Sequence, residues 1–155
     1  MAVLFAKLQN YSPELFDQRY QTLVHKMLNS GNITAQSHAI TALCHMMQTQ
    51  QGVANALSSE AMTRSWLGFA DSRNDELKIA FYTSLMTLLQ NASPMDERVY
   101  NFFRGLPRPT SKNTLFMDIL ASPFKALEEY ILKTSLALIR FDWGVNYIYS
   151  DPEFV

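Results

Sequence analysis

Apolar residues recur at three-to-four spacing along most of this chain, which is the period of one buried helix face. Ser12-Pro13-Glu14 opens the first such segment, and Leu15, Phe16, Tyr20, Leu23, Met27 and Leu28 trace its stripe. Asn29-Ser30-Gly31-Asn32 ends that helix and starts the next. The second helix covers about 33–48 and buries Ala39, Ile40, Leu43, Met46 and Met47. A short helix is expected over 52–57 and another over 61–70, with Trp66, Leu67 and Phe69 apolar. After a turn at Asp71-Ser72-Arg73-Asn74, Asp75 caps a helix to Gln90 that places Leu77, Phe81, Leu85 and Leu88 on one face. Ser93 as N-cap and Pro94 at the first helical position open 94–103. The run 104–111 holds Gly105, Pro107 and Pro109 and reads as a loop. Helices over 114–120 and 122–141 follow, the latter opened by Ser122-Pro123. No stretch alternates as a strand would, so the pattern predicts an all-α fold. Leu43, Phe81, Leu85, Leu127, Ile131 and Leu138 are expected between its layers.

Three stretches of this pattern resemble one another: 38–57, 77–102 and 130–149. Each is an amphipathic helix, a short polar break and a second small apolar segment. Gly52-Val53 and Gly144-Val145 occupy the same place in the first and third, 92 positions apart. That is two periods of about 46 residues, and HEAT and armadillo units run about 40–47 residues. The middle stretch is out of step, so the repeat is degenerate. The expectation is an α-solenoid of HEAT/armadillo-like repeats, about 12–57, 61–103 and 114–155, within one domain over 1–155. Val3, Leu4, Phe5 and Leu8 suit a helix that needs a neighbour, and Asp151-Pro152-Glu153 reads as a helix start. Both ends therefore predict a piece of a longer array, with apolar end faces that favour self-association.

Composition narrows the function. The 13 basic and 14 acidic residues leave a net charge of −1, without the concentrated basic surface that nucleic acid requires. A single cysteine, Cys44, forms no internal disulfide and suits a reduced compartment, the cytoplasm or the nucleus. The first ten residues lack the basic segment and apolar length of a signal peptide. The most apolar later run, 131–139, contains Lys133 and falls short of the ~20 residues a bilayer needs, so no membrane is expected.

Candidate chemistry is thin. His38 and His45 are seven residues apart, about 10.5 Å along a helix, too far to share a zinc ion with Cys44. No spacing pairs Cys44 with His25 as a catalytic couple. Glu128-Glu129 and Asp96-Glu97 are adjacent pairs that diverge by about 100° on a helix, so neither makes a carboxylate dyad. Pro107-Arg108-Pro109 is too short for a polyproline ligand, and Met46, Met47, Met86 and Met117 read as packing. Phosphate-loop, nucleophile-elbow and zinc-protease motifs do not occur, so no enzyme and no cofactor are expected. What remains is a surface. Lys78 and Tyr82 lie one turn apart, on the side away from Leu77 and Phe81, and Glu129, Lys133 and Arg140 lie off the stripe of the last long helix. In a stacked array such residues line up on one face and meet a partner together, with Tyr82 as the anchor.

The chain resembles the family of 26S proteasome non-ATPase regulatory subunit 5. The resemblance is carried by Glu76-Leu77-Lys78-Ile79-Ala80 with Ser84-Leu85, by Ser122-Pro123-Phe124-Lys125-Ala126-Leu127, and by the tail from Trp143-Gly144-Val145 to Asp151-Pro152-Glu153-Phe154-Val155. It covers nearly the whole chain and the later part of the family's length. Over 12–47 only helix order and apolar spacing correspond. The resemblance implies a non-enzymatic chaperone of proteasome assembly, free of cofactors, that binds the C-terminal domain of one ATPase subunit while the base of the regulatory particle forms. The family has no short motif that transfers contact residues, so Lys78, Tyr82, Glu129, Lys133 and Arg140 rest on helix-face reasoning alone. A general scaffold or adaptor built on the same repeats is the alternative function.

Overall fold

A computed structural model describes Leu4 and residues 18–105 and 125–149, without the side chains of residues 18, 125–127, 131, 148 and 149. It is all-α, with no strand among the described residues. The described helices are α1 (Gln18–Leu28), α2 (Ile33–Met46), α3 (Gln50–Ala56), α4 (Glu60–Leu67), α5 (Asp75–Asn91), α6 (Glu97–Arg104), α7 (Lys125–Leu138) and α8 (Asp142–Tyr149). A 3-10 turn, Gly68–Asp71, follows α4.

Most starts are set by short polar side chains that accept orphan backbone N–H groups. Asn32 accepts from Ala35 N at 3.0 Å, Thr49 from Gly52 N and Ser59 from Met62 N. Gly31 turns the chain between α1 and α2 with a φ of +68°, a conformation a Cβ would strain. Two expected starts move. The cap of α5 is Asn74, not Asp75, and it accepts from Leu77 N. The cap of α6 is Asp96, not Ser93. Residues 93–96 close a turn first, through Asp96 N to Ser93 O at 3.0 Å.

The helices pack in two rows. In the first, α1 lies beside α4, with Gln21 donating to Ser58 Oγ at one end and Asn29 to Ser65 Oγ at the other, so the two run in the same direction. On the other side of α4, the Trp66 and Phe102 rings meet at 4.6 Å and bring in α6. In the second row α5 packs on α2 and on α7. The last turns of α2 and α5 meet where Cys44 Sγ and Thr87 Oγ1 stand 3.2 Å apart. The ends of α5 and α7 meet where Arg140 donates to Gln90 O at 2.6 Å. The core lies between the rows. Leu43, Phe81, Leu85 and Leu138 are buried there, while the side chains of Leu127 and Ile131 lie outside the described set. Trp66 reaches across to donate Nε1 to Ser84 Oγ at 2.9 Å, so its one polar atom is satisfied inside the core. Leu23 departs from expectation. It is 38% exposed, and Val24 is fully buried in its place, because the α1 stripe centres on Tyr20, Val24 and Leu28.

The two repeated glycines do the same job. α3 turns off the end of α2, and α8 turns off the end of α7. A Cβ on Gly52 would collide with the carbonyl of Met46, six residues earlier, and one on Gly144 with the carbonyl of Leu138, also six residues earlier. Both approaches are well inside the 3.0 Å that real Cβ contacts respect, so each position requires glycine.

Candidate partner-binding surface

The five residues expected on one face come to three different situations. Tyr82 is a correction: it is 1% exposed, and its ring packs edge-on to Phe81 at 5.2 Å. It shares one side of α5 with the buried Leu85 and Leu89 and sits about 140° around the helix from Thr87, which meets α2. The side facing away from Leu77 is thus a second packed side, and Tyr82 belongs to the core.

Arg140 is exposed as a residue, yet its Nη1 reaches the last carbonyls of α5, Leu89 at 3.4 Å and Gln90 at 2.6 Å. A cation at a helix C-terminus satisfies orphan carbonyls and opposes the negative end of the helix dipole. Arg140 therefore holds α5 and α7 together at their ends. Lys78 is half-buried in the first turns of α5. Glu129 and Lys133 are exposed and bonded to each other at 2.6 Å, one turn apart on α7. The Lys133 ammonium, by hydrogen bond and charge, holds the Glu129 carboxyl below the usual range, and Glu129 raises the Lys133 ammonium in return. On an exposed helix face such a pair adds little stability.

Sequence reasoning missed the most conspicuous part of this surface. On α7 and the residue that follows it, Leu132, Leu136 and Ile139 are 62%, 68% and 55% exposed. At about 100° per residue they lie on the side opposite the buried Thr134 and Leu138. The signal was present: 132, 136 and 139 hold the same three-to-four spacing as the core positions, which gives the helix two apolar faces. Glu129 stands on one edge of this stripe and Glu128 on the other.

The first row carries an open groove of about 410 Å³ between α4 and α6, lined among others by Arg64, Leu67, Arg98, Asn101 and Phe102. Its arginines are already paired, Arg64 with Glu60 at 2.6 Å and Arg98 with Asp96 at 2.8 Å. The hydrogen bonds from Arg98 keep the Asp96 carboxyl below its ordinary value. A cluster of Tyr100, Phe103, Phe141, Trp143 and Tyr147 joins α6 to α8, with Arg104 over the Tyr100 ring at 5.7 Å. Burial raises the Tyr20 phenol well above its usual range, which makes it a core group rather than a titrating one. Among the described residues, no three His, Cys, Asp or Glu side chains are grouped to hold a metal ion, and no helix is long and apolar enough to cross a membrane.

Comparison with protein-family models, with curated proteins and with solved structures found no match to this chain.

Proposed function

We propose that the chain is a segment of a HEAT/armadillo-like α-solenoid that binds another protein, and that its partner is the C-terminal domain of a proteasomal ATPase subunit. In this reading it acts as a chaperone during assembly of the regulatory particle base. One observation carries the solenoid reading. The close approach of Gly52 to the end of α2 recurs, 92 positions on, as the approach of Gly144 to the end of α7. The same backbone contact at the same point of two helices in one row is what a repeating stack requires, and such stacks work through extended surfaces. The choice of partner rests on the resemblance of 76–89, 122–127 and 143–155 to the subunit 5 family.

The polar part of the binding face is Lys78 with the Glu129–Lys133 pair. Tyr82 serves the core beneath it. Calorimetric titration of this chain with isolated proteasomal ATPase C-terminal domains tests the proposal. Binding to at least one domain is expected. Lys78→Glu combined with Lys133→Glu should weaken it by about tenfold, ~1.4 kcal/mol, with the melting temperature nearly unchanged. Absence of binding to every domain would refute the partner. Binding that is indifferent to the double variant would move the interface off this face.

A further inference from the structure

We infer that the outward face of α7 is a self-pairing surface: two copies of this chain join through antiparallel α7 helices across a two-fold axis. The inference does not rest on the proteasomal reading. It starts from Leu132, Leu136 and Ile139, three large apolar side chains each more than half exposed on one side of α7 and the residue that follows it. Singly exposed apolar residues are ordinary, but a contiguous stripe at helical spacing marks a surface that binds something.

The stripe's own edge says what it binds. A two-fold contact requires a patch that complements itself. Along one flank of the stripe, an acid stands at the start and a base at the end: Glu129 near the beginning of α7 and Arg140 just beyond it. They are eleven residues apart, just over three turns, so the helical spacing carried two residues past the end of α7 puts both on the same side. When a second α7 lies antiparallel on the first, Leu132 faces the Leu136–Ile139 end of its neighbour, and the Leu136 side chains meet near the axis. In the same register Glu129 of each copy falls beside Arg140 of the other, so the pair forms twice. Arg140 uses Nη1 for the carbonyls of α5, and the remaining guanidinium donors can take a carboxylate. Lys133 lies on the same flank between them and keeps the middle of the seam from becoming acidic. A parallel pair would bring opposite flanks of the stripe together, with Glu129 of one copy beside Glu128 of the other, so charge selects the antiparallel form.

One helix pair buries less than the roughly 1,200–2,000 Å² of a standard stable interface, so the dimer is weak, with a Kd of roughly 10–100 µM. Sedimentation equilibrium of the whole chain over about 5–500 µM should show a monomer passing to a species of twice 17.7 kDa, and no larger one. Leu136→Glu should leave a monomer throughout. Glu129→Arg and Arg140→Glu should each weaken pairing by about tenfold or more, because each places like charges together twice. An equimolar mixture of those two variants should pair again, since the heterodimer restores both contacts, one as in the wild type and one with its signs exchanged. Circular dichroism confirms that each variant is folded, and the mixture remains decisive if Leu136→Glu is not. A wild-type chain that stays monomeric at the highest concentration overturns the inference and leaves the stripe to a different protein. Pairing that survives Leu136→Glu, or a mixture that pairs no better than its components, overturns it equally.

Discussion

Helices α5 and α7 are built from similar material and meet opposite fates. Each has apolar residues on more than one side. In α5 both sides are covered: Leu77, Phe81, Leu88, Tyr82, Leu85 and Leu89 are all buried, because α2 and α7 flank the helix and Trp66 of α4 closes it from the other row. In α7 only the side bearing Thr134, Ala137 and Leu138 is covered, and Leu132, Leu136 and Ile139 stand in solvent. The difference lies in the number of neighbours each helix has, not in its own amphipathic pattern. α5 is interior to its row, whereas among the described residues α7 has a packed neighbour in that row on one side only. A helix with two apolar faces and one neighbour presents a surface of defined chemistry, and the candidate interface of this protein sits there.

The largest effect that would break this comparison is at Tyr82. If the ring belongs to the core of α5, Tyr82→Ala should cost about 3–4 kcal/mol in urea unfolding, the range for a deleted core aromatic. A loss below about 1 kcal/mol would return Tyr82 to the surface. A second test concerns the end of α7. Gly144→Ala forces a Cβ against the Leu138 carbonyl and should destabilise by about 2–3 kcal/mol, as overpacking does, and Gly52→Ala should do the same at α2. Equal tolerance of alanine at both positions would remove the shared contact on which the repeat rests. A smaller effect sharpens the tie between the two helices. Arg140→Ala should cost about 1 kcal/mol, because it removes a charge-assisted bond from the C-terminus of α5. Amide exchange should then quicken in the last turn of α5, and unchanged protection of Leu89 through Asn91 would deny the contact its role.

Much of the fold was legible in the sequence because it is local. Three-to-four spacing located α2 and α5 and their buried faces, Asn32 announced a helix start, and the two Gly-Val pairs marked equivalent turns. What was not legible depends on neighbours. Periodicity shows that Lys78 and Tyr82 share a side of α5, but not that this side is packed. No local rule connects Arg140 to carbonyls fifty residues earlier. Two start signals compete between α5 and α6. Asp96 prevails over Ser93-Pro94 because its carboxylate caps Arg98 N and binds the Arg98 side chain as well. On α1 the same spacing admits Leu23 or Val24, and only the placement of α2 and α4 selects Val24.

The most direct test of the difference between α5 and α7 is a matched pair of leucine truncations. Leu85→Ala and Leu136→Ala delete the same atoms from the two helices, one side chain fully buried and the other 68% exposed. Equilibrium urea unfolding at low micromolar concentration, below the range of self-pairing, should show a loss of about 2–5 kcal/mol for Leu85→Ala. The same measurement should move by no more than about 0.5 kcal/mol for Leu136→Ala. Comparable losses at the two positions would mean that the outward face of α7 is already covered, and would contradict the account.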